Sequence, residues 1–91
     1  MISFNLYMPK VLNFRVIIEQ DEDGIFVASV PSLQGCYTEG DSFEEAIQNI
    51  KDAIKLHVSL LKERKQITDD SHTEFVGIKN LKIAYGLSSN S

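Results

Sequence analysis

The chain has 91 residues, a formal net charge of −4 and one cysteine, which leaves room for one domain and for no internal disulfide. Hydrophobic residues at 43% and charged residues at 24% describe a soluble globular protein rather than a disordered one, and a lone Cys points to a reducing cytoplasm. No segment approaches the roughly 18 apolar residues of a membrane span, and no basic leader precedes an apolar run, so neither a bilayer helix nor a secretion signal is expected.

Residues 1–11 come first, and Ile2, Phe4, Leu6 and Met8 alternate there; this segment either adds a strand or stays outside the fold. Leu12 to Glu19 alternates more clearly, with Leu12, Phe14, Val16 and Ile18 on one side and Asn13, Arg15, Ile17 and Glu19 on the other, the pattern of a half-buried strand. The tetrapeptide Asp21-Glu22-Asp23-Gly24 supplies a turn, and Ile25 to Val30 resumes the alternation with Phe26, Ala28 and Val30 on one face. Together these predict a hairpin closed by an acidic turn. Pro31 cannot donate to a ladder and stops the second strand, and a short third strand is expected at Cys36 to Thr38.

A helix follows. Ser42 and Glu45 stand in the S-x-x-E spacing of a capping box, and apolar residues from Phe43 through Ala46, Ile47, Ile50, Ile54 and Leu61 form one stripe at helical spacing. The spacing predicts a helix from Phe43 to about Lys65. After a polar loop at 67–72, Leu81, Ile83 and Tyr85 alternate with Lys82 and Ala84, which predicts a fourth strand over 78–85, and the last residues, 86–91, read as a loose tail. The expected architecture is α+β, in the order β-β-β-α-β, with a three-stranded antiparallel meander, one long helix packed on the sheet and a C-terminal fourth strand. It forms a single domain over residues 1–91 with its core between 12 and 85.

Charge is unevenly spread. Glu19, Asp21, Glu22, Asp23, Glu39, Asp41, Glu44 and Glu45 fall in a stretch without Lys or Arg, whereas from Lys51 onward seven basic residues face five acidic ones. An acidic pole repels nucleic acid and steers a basic protein partner toward it. One helix covers only one face of a sheet, so Ile17, Ile25 and Val27 on the other face are expected to meet a second subunit in a dimer or tetramer.

Candidates for chemistry each have a plainer reading. Cys36 lacks a neighbouring base and sits among carboxylates that disfavour a thiolate, and the histidines, His57 and His72, have no ligand spacing for zinc. Asp21, Asp23, Asp41 and Glu45 are the residues a magnesium- or manganese-dependent nuclease would use. Turn and cap duties account for all four, and no catalytic residue, metal or cofactor is expected.

The order of these signals is specific. Phe14 through Ile54 contains Asp21 to Gly24, Phe26-Val27-Ala28, Pro31, Leu33, Gly35-Cys36, Thr38, Gly40-Asp41-Ser42 and Glu44-Glu45-Ala46, and this succession resembles the HicB-like antitoxin family. The resemblance implies a partial ribonuclease H-like fold without that enzyme's carboxylate set, self-association, and a partner that is a small basic RNA-cleaving toxin of the HicA type. The acidic residues Asp21, Glu22, Asp23, Glu39 and Asp41 are the expected partner-binding surface. Members often carry an operator-binding helical segment after the long helix; the strand-like spacing here puts DNA binding in doubt, and an oligomeric binding module without a toxin is the remaining alternative.

Overall fold

The computed structural model describes residues 11–64 and 67–86. Three strands, β1 (Ile17–Gln20), β2 (Phe26–Ser29) and β3 (Tyr37–Gly40), precede one helix, α1 (Phe43–Glu63). They form an antiparallel meander in the order β1-β2-β3, with Ile18 opposite Ala28 and Ala28 opposite Thr38. Alternation along the strands sends Ile18, Phe26 and Ala28 to the side covered by α1, where Ala28, Val30, Leu33, Cys36, Ala46 and Ile50 form the buried core. Burying Ile50, at 1% exposure, is worth about 1.5–3 kcal/mol.

The hairpin turn is built by Asp21. One carboxylate oxygen accepts the N–H groups of Asp23 and Ile25, both at 2.9 Å, while Gly24 takes φ 83°, a left-handed conformation that glycine adopts at low cost. The helix start is equally local: Ser42 Oγ accepts the Glu45 N–H at 3.0 Å, and the Glu45 carboxylate accepts from the backbone N–H of Asp41. The expected box is present with its return bond displaced by one residue, from Ser42 to Asp41. Gly40 serves close packing here rather than a turn, because a Cβ at that position would lie 2.5 Å from the Ala46 backbone nitrogen. That absent side chain lets α1 come down onto β3.

Two expectations change. The first strand's ladder is shorter than Leu12–Glu19: it starts at Ile17 because β2 ends at Ser29, before Pro31. The backbone of 13–15 pairs instead with the loop at 69–70, where Asn13 N–H donates to an Asp69 carboxylate oxygen at 2.8 Å, Arg15 N–H to Asp70 Oδ2 at 2.7 Å, and Asp70 N–H to the Asn13 carbonyl at 2.7 Å. Ser32 Oγ also donates to Asp70 Oδ2, at 3.1 Å. Two aspartates thus continue the ladder where proline interrupts it. The fourth strand expected at 78–85 makes no ladder with any described residue; Leu81, Ile83 and Tyr85 stand 72%, 78% and 87% exposed. Local alternation marks a segment as fit for a strand, but a strand exists only against a partner. The possible strand within 1–11 lies outside the described residues except for Val11, and the tail after Gly86 lies wholly outside them.

Candidate functional surface

The sheet has two faces with different fates. Away from α1, the register aligns Ile17, Ser29 and Tyr37 in one row and Glu19, Val27 and Glu39 in the next. The turn residues Asp21, Glu22 and Asp23 continue beyond Glu19 at one end, and Asp41 follows β3. Ile17, Ile25 and Val27 are half-buried, Tyr37 is 67% exposed, and Glu19, Glu22, Asp23, Glu39 and Asp41 are exposed. Partner-binding and oligomer-interface residues that the sequence treats as two sites therefore share one face, an apolar strip flanked by carboxylates. Joining them requires the register, which the sequence alone does not display.

The carboxylates are not equivalent. Asp21 is committed to the turn through the bonds above, and Glu45 to the helix start. Glu22, Asp23 and Glu39 make no side-chain hydrogen bond to any described residue, and the Glu39 carbonyl accepts from Asn49 Nδ2 at 2.8 Å, which fixes the backbone that carries its side chain. At the opposite end of this face the Arg15 guanidinium lies 5.5 Å from the centre of the Phe75 ring and donates to Thr73, so the chain leaving the 69–73 loop is tied to the sheet there.

Asp69 anchors that loop. Its carboxylate accepts from the Ser71 hydroxyl at 2.7 Å, from the Asn13 N–H and from the Ser71 N–H at 3.2 Å; these bonds, the Ser71 hydroxyl foremost, lower its pKa to about 2. Sequence reading passes over Asp69 and Asp70 as loop polarity. The signal that could have found them is the Asp-Asp-Ser run, whose short acceptors cap backbone donors readily.

Cys36 is buried at 2% exposure, and desolvation pushes its thiol pKa up, opposite to what a nucleophile needs. His57 Nδ1 lies 3.0 Å from the Ala53 carbonyl, a local helical bond. Among the described residues no three His, Cys, Asp or Glu side chains converge as a metal site would require. The four carboxylates weighed for nuclease chemistry are accordingly not brought together. No described helix is long and apolar enough to cross a membrane, and no helix follows α1 among the described residues.

On the α1 side, the helix packs chiefly over β3 and β2, and Ile18 of β1 reaches the same core at its margin. A trough of about 560 Å³ remains between Leu12, Phe14 and Val16 and the helical residues Ile47, Ile50 and Ile54, continuing as a second hollow of about 490 Å³ toward Val58 and Lys62. Lys51, Lys55 and Lys62 stand along its rim.

A three-stranded meander backed by one helix, with an acidic apolar face that no described element covers, defines an α+β fold of one-sided construction. Residues 14–81 match the family described as "HicB_like antitoxin of bacterial toxin-antitoxin system". The chain belongs to this HicB-like antitoxin family. It is 37% identical over 75 residues to a UPF0150 protein of Archaeoglobus fulgidus, covering 82% of this chain and 100% of that protein. Similarity to a UPF0150 protein of Synechocystis reaches 39% over 70 residues, or 77% and 93% of the two chains, and to one of Thermoplasma acidophilum 44% over 64 residues, or 69% and 93%.

Proposed function

We propose that this protein is a non-enzymatic, cytoplasmic antitoxin that neutralises a basic, RNA-cleaving toxin of the HicA type by covering its RNA-binding surface. One observation carries the reading: Glu19 and Glu39 flank Val27 in a single cross-strand row, with Ile17, Ile25 and Tyr37 around it and the acidic turn at its end. An apolar centre with an acidic rim suits a protein surface evolved to hold phosphates, since lysines and arginines meet carboxylates at the rim while the centre excludes water. Membership of an antitoxin family supports the same reading.

The face fits a second copy less well. Two-fold symmetry would set like surfaces together, bringing Glu19 and Glu39 against their own counterparts, and like charges brought together at an interface cost free energy. We therefore assign Ile17, Ile25 and Val27 to the toxin together with Glu22, Asp23, Glu39 and Asp41, and leave Asp21 mainly to its turn.

Co-expression with a toxin from a neighbouring gene tests this. Reversal of Glu22, Asp23 and Glu39 to lysine, which spares the Asp21 turn and the Glu45 cap, is expected to weaken the complex by at least about tenfold near physiological salt. The loss should shrink above about 0.5 M salt, where the screening length falls to a few ångströms. Unaltered affinity of the triple variant would remove the acidic face from the mechanism.

A further inference from the structure

The arm that follows Thr73 carries Val76, Ile78, Leu81, Ile83 and Tyr85, each more than half exposed, and it starts on the bare face of the sheet. Strand alternation puts Arg15 on that face, two residues before Ile17, and the Arg15 side chain holds Thr73 and the Phe75 ring. Two exposed apolar surfaces of one chain, the arm and the face, are thus joined at a fixed point. A short tether of this kind keeps them at an effective concentration on the order of millimolar, and contiguous apolar surface is seldom left in water when a partner is so near.

We propose that the chain's own arm closes over this face as a strap, which a partner must displace to reach Val27 and its carboxylates. The match is one of period. Rows on the face repeat at every second residue of β1: Arg15, then Ile17 with Ser29 and Tyr37, then Glu19 with Val27 and Glu39, then Asp21, whose N–H bonds the Ile25 carbonyl. An extended arm also points every second residue one way, so Phe75, Gly77, Lys79 and Leu81 share a side. With Phe75 fixed on Arg15, Gly77 falls over Ile17, Lys79 over the row of Glu19 and Glu39, and Leu81 over Ile25. Both series advance about 6.6 Å per step, so the register holds across the face. Charge agrees with it. Lys79 is the only cation on that side of residues 75–85, and it arrives between two glutamates. Gly77 brings no side chain to Ile17, which stays half-open under the strap.

The tether decides whose arm this is. Phe75 of the same chain occupies Arg15, so an arm from elsewhere cannot take this register. It also decides the place, because the arm begins above the side chains of the sheet and not beside the backbone of β1. The strap stands open in the structure, with Val76 95% exposed. Closure needs backbone rotation just after Phe75, and Gly77, with open space about it, turns there at low cost. The competition with a toxin rests on the function proposed above; the closure itself does not.

Nuclear magnetic resonance on the full chain, with labelled and unlabelled chains mixed, separates the two. Methyl contacts between Leu81 and Ile25 are expected within one chain, at intensities independent of concentration. Leu81→Asn lies at an exposed position and should keep the wild-type circular dichroism. Phe75→Ala cuts the tether, and both variants should move the Ile25 and Val27 methyl signals in the same direction. If the strap is closed in about nine-tenths of molecules, Leu81→Asn binds a co-expressed toxin about tenfold more tightly than the wild type. Leu81–Ile25 contacts found between different chains, or Ile25 and Val27 signals unmoved in both variants, would overturn the strap. Equal toxin affinity of wild type and Leu81→Asn would overturn the competition. Contacts within the chain, with no toxin bound by any form, would support the strap and remove the antitoxin reading instead.

Discussion

The two sides of the sheet are made from the same three strands, often from consecutive residues, yet they obey different rules. Ile18, Phe26 and Ala28 meet α1 and pack against a core in which Ala46 and Ile50 are almost wholly enclosed; one residue along, Ile17, Val27 and Glu39 meet no described element of comparable size. On the helix side a side chain is judged by shape. On the bare side it is judged by what can approach it, and under the proposed function the carboxylates around Val27 select a basic partner. A small protein can thus separate stability from recognition by the parity of a residue number.

The contrast can be broken most forcefully from inside. Ile50→Ala should cost about 2–5 kcal/mol in urea unfolding, through lost transfer energy and the cavity left behind, while Ile17→Ala should cost about 1 kcal/mol or less for its half-exposed methyl groups. Equal losses would mean that the bare face is covered in solution. Next in size, Ser42→Ala should lower stability by about 1 kcal/mol, because the Glu45 N–H loses its acceptor at the helix start; Ser42→Gly should cost only a few tenths.

The smallest effect belongs to the loop that spans both sides. Asp69 has its pKa lowered in the fold from 3.8 to about 2, so its contribution is complete above pH about 4 and disappears as pH falls through about 2. Wild-type unfolding measured across that window should lose stability more steeply than Asp69→Asn, and the Asn13 amide resonance should move with the same midpoint. Identical slopes would show that the 69–73 loop is held by other contacts.

What could be read from the sequence follows the same division between near and far. The capping residues, the Asp21 turn and the faces of each strand depend on neighbours within four residues, and they appear where the residues imply them. Strand length depends on a partner, so Pro31 shortened β1 at a distance and Asp69 and Asp70, which look like solvated loop residues, took over the vacated backbone groups. Residues 78–85 have the alternation of a strand, and nothing in their own order supplies the partner that a strand needs. The surface shows the limit most plainly: Glu19, Val27 and Glu39 become one row only through the register of two strand pairs.

The loop between β2 and β3 has a practical use. Val30 N–H bonds the Cys36 carbonyl, Cys36 N–H the Leu33 carbonyl and Leu33 N–H the Val30 carbonyl, a closed relay that seals the thiol behind backbone and core. A sulfhydryl reagent reaches that sulfur only when the relay and the core open together. With no second thiol in the chain to confuse the signal, the rate of Cys36 labelling is a built-in clock for opening of the core around that loop, readable without mutation or dye.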